Sequence, residues 1–62
     1  MKPDWVKTAM LDGCWTAEGT SPDGIRHEVY NGDNLTEQDA VEDLLFSIRE
    51  LRKEQNEMEG DA

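Results

Sequence analysis

One amphipathic stripe in the second half of the chain limits most strongly what this sequence can fold into. Between residues 36 and 59, apolar side chains recur at three- and four-residue steps, which places them on one side of an α-helix: Val41, Leu44, Leu45, Ile48 and Leu51. Thr36 is a suitable N-cap because its hydroxyl can accept a free backbone N–H group, and Leu35 before it is a candidate staple residue. Such a helix must bury its stripe, and only the first 34 residues can provide the opposing surface.

Those first residues contain two strong turn signals. Asp12-Gly13 lies between two pairs of mostly apolar residues, and a two-residue Asp-Gly loop is typical of a β-hairpin. Ser21-Pro22-Asp23-Gly24 places proline, aspartate and glycine where a type I turn followed by a positive φ favours them. The turns predict strands over about 5–11, 14–20 and 25–31. Residues 5–11 also fit helical spacing, and the hairpin is the preferred interpretation of that segment.

The two turns can be checked against each other, because each one sets a strand register. The first loop sets Leu11 opposite Cys14, and a three-residue second loop sets Ser21 opposite Ile25. Taken together, the two registers place one group of apolar side chains on a single face: Val6, Met10, Trp15, Ala17, Ile25 and Val29. We therefore expect an antiparallel three-stranded meander whose apolar face receives the helix.

The predicted fold is a single small α+β domain over residues 1–62 with the element order βββα. A seven-residue strand spans about 23 Å, and a helix starting at Thr36 covers that distance in about 15 residues. The helix should therefore leave the sheet near Leu51, where the continuous stripe also stops. Residues 52–62 are expected to form a frayed helical overhang or tail.

The order of the turns and of the helix start can be written as Asp12-Gly13-x-Trp15, Asp23-Gly24-x-Arg26 and Leu35-Thr36-x-x-x-Ala40. This layout resembles the βββα arrangement of AP2 and integrase-arm DNA-binding domains over residues 5–51. Those families read DNA with basic and aromatic residues on the open face of the sheet. Here that face is expected to mix charges, with Lys7 opposite Glu18 as a favourable pair, and to carry Trp5, Lys7, Ala9, Thr16, Glu18, Arg26, Glu28 and Tyr30. The resemblance therefore implies the layout but not the DNA-binding role.

The charge of the chain also disfavours several classes of partner. Fifteen acidic residues stand against six basic ones, giving a formal net charge of -9, and residues 33–62 alone carry ten acids and three bases. Direct nucleic-acid binding and binding to anionic membranes both need a basic surface. A basic protein partner, which itself could be a nucleic-acid-binding protein, would instead be attracted.

The sequence gives little support to catalysis, to metal binding or to cofactor binding. The register directs His27, the only histidine, toward the helix and Cys14 toward the opposite face, so a thiol–imidazole pair is not expected. Oxygen atoms close to the helix start are supplied by Asp33, Asn34, Glu37 and Asp39, but the spacing of these residues does not fit a calcium loop. We expect no enzyme activity, no metal and no cofactor.

The cysteine count and the hydropathy pattern bear on localisation. The lone Cys14 cannot form an intramolecular disulfide, and no apolar run approaches membrane-spanning length. The chain also opens without a signal-peptide pattern. These features predict a cytoplasmic protein.

The side of the helix away from its apolar stripe is the candidate partner-binding surface. It is expected to carry the carboxylates and one aromatic ring: Asp39, Asp43, Phe46, Glu50, Glu54 and Glu57. A solvated face that keeps a small protein soluble would have the same composition. An aromatic anchor ringed by charge would instead resemble an interface hot spot.

Two functional hypotheses follow. The first is a non-enzymatic acidic module, of the kind that small phage-encoded inhibitors and modulators often are, which occupies a basic surface of a partner. The alternative is a structural or assembly module that forms a homodimer through the C-terminal helix. It rests on a heptad-like run in that helix: Val41, Leu44, Ile48, Leu51, Gln55 and Met58.

Overall fold

A computed structural model describes residues 2–30 and 32–60, with side chains described as far as residue 55. This part of the chain forms β1 (Val6–Leu11), β2 (Cys14–Thr20), β3 (Arg26–Val29) and α1 (Glu37–Gly60). The strands make an antiparallel sheet in the order β1-β2-β3. Because α1 packs on one face of this sheet, the predicted βββα fold is confirmed.

The first turn has the backbone conformation that its residues predict. Asp12 has a φ of 52° and Gly13 a φ of 82°, so both central residues lie in the left-handed region that a type I′ hairpin turn requires. The strands on either side pair from Val6 with Gly19 to Leu11 with Cys14. The predicted β1–β2 register is confirmed.

The second turn is held by four hydrogen bonds around Ser21, one of which the Ser21 hydroxyl donates to the Asp23 carboxylate. Its N–H donates to the carbonyl of Ile25 at 2.8 Å, and its carbonyl accepts the N–H of Gly24 at 2.9 Å. Its buried hydroxyl accepts the N–H of Ile25 at 3.1 Å. The β2–β3 register, with Ala17 opposite Val29, is therefore also as predicted. β3 begins one residue later than expected because Ile25 belongs to the turn.

The core lies between α1 and the helix-facing side of the sheet. Its buried side chains come from all four elements and from the second turn: Val6, Ala17, Ile25, Val29, Ala40, Val41, Leu44 and Ile48. Trp15, Leu45 and Leu51 are half-buried and pack against this cluster. Met10 lies on this face, as expected, but it is 59% exposed. The first turn of α1 lies beside Thr8, whose hydroxyl donates to Glu37, so the helix does not cover the hairpin tip.

Trp5 differs from the other residues that were predicted to lie on the open face of the sheet. It is half-buried against the core cluster, and it closes tightly over Gly19, which shares the helix-facing side with Ala17. A Cβ atom on Gly19 would lie 2.4 Å from the backbone oxygen of Trp5 and 3.1 Å from its Cε3 atom. Trp5 also borders a depression on the open face with Lys7, Glu18 and Arg26, so the expectation that it lies on that face is met only in part.

The N-terminus of α1 is capped as Thr36 predicts. The N–H of Asp39 donates to the Thr36 hydroxyl at 3.1 Å, and the Asp39 carboxylate accepts the N–H of Thr36 at 3.2 Å. This is a reciprocal capping box in which aspartate takes the place of the usual glutamate. Leu35 remains 69% exposed, so the expected hydrophobic staple does not form.

Farther along, α1 is tied to the second turn by one ion pair. The Arg52 guanidinium donates to both carboxylate oxygens of Asp23, at 2.6 and 2.9 Å. Contact with the sheet region therefore continues one residue beyond Leu51. The helix extends to Gly60. Fraying of residues 52–62 stays a prediction.

Candidate functional site

Phe46 is the most unusual side chain on α1. It is 61% exposed, whereas Leu44 and Ile48 on the same helix are buried in the core. Residues two apart on a helix point in very different directions, so burial of these two neighbours leaves Phe46 on the outer side. An exposed aromatic ring on a helix that already has a complete apolar stripe is not needed for the core.

Four charged residues surround this ring. Glu42 and Asp43 precede it by four and three positions, and Arg49 and Glu50 follow it by three and four. Residues at these separations are neighbours on a helix surface. We call Phe46 with these four residues the Phe46 patch. Three of its four charges are negative.

Asp43 is fixed in place by the loop before the helix. The buried Asn34 side chain donates to the Asp43 carboxylate at 3.2 Å, and the Asn34 carbonyl accepts the N–H of Trp15 at 2.8 Å. Asp43 is consequently half-buried. The same chain of contacts holds α1 at a fixed position relative to the start of β2. The Phe46 patch is therefore built on a rigid part of the molecule.

The predicted site residues thus divide into two groups. Asp39 and Asp43 both have structural hydrogen bonds, one in the capping box and one to Asn34. Glu50 and Glu54 are exposed and have no hydrogen-bond or ion-pair partner among residues 2–30 and 32–55. Glu57 lies outside the described side chains. Of the four predicted carboxylates that the structure describes, those of Glu50 and Glu54 are therefore the ones left without a partner in this part of the chain.

The sequence prediction omitted two neighbours of Phe46, Glu42 and Arg49. Both are exposed, and they lie about one helical turn before and after the ring. Their spacings of four and three residues from Phe46 are the signal that identifies them. Met58, which the alternative of a helix-mediated dimer uses, lies outside the described side chains.

The open sheet face is the second surface that α1 leaves uncovered. Glu18 lies between Lys7 and Glu28 across the strands, and it forms its ion pair with Arg26 at 3.8 Å rather than with Lys7. The expected Lys7–Glu18 pair is therefore adjacent in register but not in ionic contact. Tyr30 donates its hydroxyl hydrogen bond to Glu28, which raises the pKa of the phenol above its usual value.

The geometry gives no support to thiol chemistry. The Cys14 thiol donates to the carbonyl of Gly32 at 3.3 Å, and the register places Cys14 and His27 on opposite faces of the sheet. Within the described part of the chain, no three His, Cys, Asp or Glu side chains group together as metal ligands. The described helix is too polar to cross a membrane.

Comparison with known proteins adds no further constraint. No protein-family model, curated protein or solved structure matches this chain. The AP2 and integrase-arm likeness accordingly remains a likeness of layout. Any function must be argued from the two surfaces themselves, the outer side of α1 and the open face of the sheet.

Proposed function

We propose that this protein is a non-enzymatic, acidic protein-binding module that inhibits or modulates a partner by docking the outer side of α1 on a basic surface. The observation that carries the proposal is Phe46, a 61% exposed aromatic ring bordered by carboxylates on the side of α1 away from the core. The small size of the chain and its net charge of -9 are the grounds for inferring a phage-type inhibitor, and the absence of a second cysteine is compatible with action in the cytoplasm.

The ring and the carboxylates would contribute in different ways. Phe46 offers a rigid apolar anchor that gains free energy when a partner pocket removes it from water. Glu50 and Glu54 continue one side of the helix beyond it, about 6 Å apart along the axis. Negative groups at such a spacing suit a partner surface that normally contacts nucleic-acid phosphates. Charge would thus accelerate encounter, and the ring would slow dissociation.

The fixed position of the patch supports the same proposal. The bond from Asn34 to Asp43 and the capping box anchor the helical turns that precede Phe46. A pre-organised surface loses less conformational entropy on binding than a flexible one. The described contacts stabilise this part of α1 without engaging Glu50 or Glu54, which remain available to a partner.

A pull-down from lysate of the native host, with the bound protein then purified for kinetics, tests the proposal. We expect binding to weaken steeply as salt rises, because exposed charge pairs are screened. Glu50→Lys combined with Glu54→Lys should slow association, whereas Phe46→Ala should raise the dissociation rate. Added nucleic acid should compete for the partner.

The chain offers a matched control for Phe46. Leu35 is similarly exposed, at 69%, but it precedes the helix and lies outside the Phe46 patch. Leu35→Ala should therefore leave the partner's affinity unchanged. Binding that is insensitive to salt, to both charge reversals and to Phe46→Ala would overturn the proposal.

A further inference from the structure

The open face of the sheet has a charge distribution unlike that of the rest of the molecule. Two basic and two acidic side chains lie on it, so it is electrically neutral although the whole chain carries -9: Lys7, Arg26, Glu18 and Glu28. A second copy of so acidic a chain is repelled by most of the surface. The open sheet face is where two copies can approach without that repulsion.

The arrangement of these charges is asymmetric across the sheet. Lys7 on β1 and Glu28 on β3 lie in the same cross-strand row, on either side of Glu18. Glu18 has Arg26 as an ion-pair partner, but Lys7 has none among the described residues. Glu18 and Glu28 face each other directly, and like charges in that position are unfavourable. A basic group placed over Glu28 would relieve this repulsion.

We propose that a second copy of this chain packs face to face on the open sheet, about a twofold axis parallel to β2, so that Lys7 of each copy lies over Glu28 of the other. Rotation about this axis leaves each cross-strand row at the same position along β2. It places β1 of one copy over β3 of the other. Two identical ion pairs form, as a closed symmetric dimer requires. Aligned packing of two sheets is a common arrangement, with the sheets about 10 Å apart.

The side chains of the neighbouring cross-strand row, which contains Ala9, Thr16 and Tyr30, have shapes that fit the same twofold axis. Tyr30 is 68% exposed at the β3 edge, and the small Ala9 leaves a shallow depression bordered by Lys7, Thr16 and Tyr30. The same twofold axis places Tyr30 of one copy above Ala9 of the other. A large side chain thus meets a small one on both sides of the axis, which is the complementarity that packed interfaces need.

One residue opposes the dimer. Glu18 lies on β2, so the axis brings it near Glu18 of the second copy, with only its own Arg26 to offset the repulsion. The face is also small, about 14 Å across the three strands and about 23 Å along β2, which with seven residues is the longest of them. Both features predict a weak, reversible dimer at the lower end of interface sizes. Because α1 covers the other side of each sheet, such a dimer would expose two Phe46 patches, and its existence does not depend on the function proposed for them.

Sedimentation equilibrium on the full chain over a wide concentration range tests the proposal. We expect a monomer–dimer equilibrium that Lys7→Glu alone and Glu28→Lys alone each weaken by about tenfold or more, since each creates two like-charge contacts per dimer. An equimolar mixture of the two variants should restore dimerisation, because every contact again joins opposite charges. Glu18→Gln should strengthen the dimer. Circular dichroism would verify that each variant is folded.

Crosslinking gives an independent readout that uses the single cysteine. Cys14 lies on β2, close to the axis, so a short bismaleimide should join two wild-type copies, or the mixed variants, far more efficiently than either charge variant alone. Phe46→Ala should leave both measurements unchanged. A chain that stays monomeric at every concentration, or a dimer that ignores the charge reversals but is lost when residues 53–62 are removed, would overturn the proposal.

Discussion

The two faces of the sheet are built from alternate residues of the same strands, yet they have opposite chemistry. The covered face contributes Val6, Ala17 and Val29 to the core, all of them buried. The open face carries Lys7 and Glu28 instead, and both are exposed. Burial of apolar area is the dominant favourable contribution to folding, and exposed ion pairs contribute little. The covered face should therefore determine stability, and the open face should be free to serve another role.

A similar contrast exists on α1. Leu44 is fully buried, whereas Phe46, two residues later, is largely exposed. Each element of this small protein thus has one side in a single shared core and one side that does not enter that core. The difference separates residues that can be changed only at the expense of the fold from residues that can be changed to test function.

The largest effect is expected on the covered side of α1. Leu44→Ala and Ile48→Ala should each lower the free energy of unfolding by about 2–5 kcal/mol, because each deletes buried methyl groups and leaves a cavity. Phe46→Ala on the same helix should change it by less than about 0.5 kcal/mol. Urea unfolding of the three variants measures this directly. Equal losses at Leu44 and Phe46 would contradict the division of the helix into a core side and an outer side.

A smaller effect is expected where Trp5 closes over the sheet. Gly19→Ala should cost about 1–3 kcal/mol, because its new Cβ atom would meet the Trp5 backbone, which cannot easily move aside. Gly32→Ala is the matched control, since nothing lies within 4 Å of a Cβ atom there. Thermal unfolding of both variants provides the measurement. An unchanged melting temperature for Gly19→Ala would show that the close contact is not required.

The ion pair between Arg52 and Asp23 should make the stability of the protein depend on pH. Hydrogen bonds from Arg52 and from Ser21 hold the pKa of Asp23 well below its usual range. A folded-state pKa below the unfolded value stabilises the protein above the ordinary carboxyl range, and this contribution is lost as the pH falls through and below it. Asp23→Asn should therefore lower the melting temperature at neutral pH and reduce its fall in acid.

Asp12→Asn serves as the control for that measurement. Asp12 also lies in a β-turn but makes no side-chain hydrogen bond or ion pair within the described residues. Its substitution should leave the fall of the melting temperature in acid as it is in the wild-type protein. If Asp23→Asn also left the fall of the melting temperature in acid unchanged, the Arg52 contact would not be holding α1 to the second turn in solution.

The smallest effect on stability is expected on the open face. Glu28→Gln should alter the free energy of unfolding by less than about 0.5 kcal/mol. The same change should lower the pKa of Tyr30 toward its usual value, because the hydrogen bond to the Glu28 carboxylate is what raises it. Ultraviolet titration of the single tyrosine, at protein concentrations that keep the chain monomeric, reports this pKa. A large loss of stability would contradict the contrast between the two faces.

Much of the fold could be predicted because the determining interactions are local. Asp12-Gly13 and Ser21-Pro22-Asp23-Gly24 specify turns through backbone preferences, and each turn sets the register of the strands beside it. Alternation along a strand then decides which side chains share a face. The candidate site was predicted for a similar reason, since helical spacing alone groups Phe46 with its acidic neighbours.

Two details that differ from the prediction involve contacts between segments distant in sequence. The exposure of Met10 depends on where α1 begins relative to the hairpin tip, and the position of Trp5 depends on how the first residues fold against Gly19. Lys7 lies opposite Glu18 as predicted, but the Glu18 side chain forms its ion pair with Arg26. Register specifies neighbours, whereas side-chain rotamers select among them.

The sequence by itself determined the order of elements, both registers, the core side of α1 and the strong negative charge, because turn chemistry, periodicity and composition act within a few residues. Only the tertiary structure decided which carboxylates are already engaged. Asp43 accepts a hydrogen bond from Asn34, and Asp23 binds Arg52, 29 residues away. Glu50 and Glu54 have no such partner among the residues that the structure describes. The physical reason is that a hydrogen bond between distant segments requires the packed core to bring its donor and acceptor within about 3 Å.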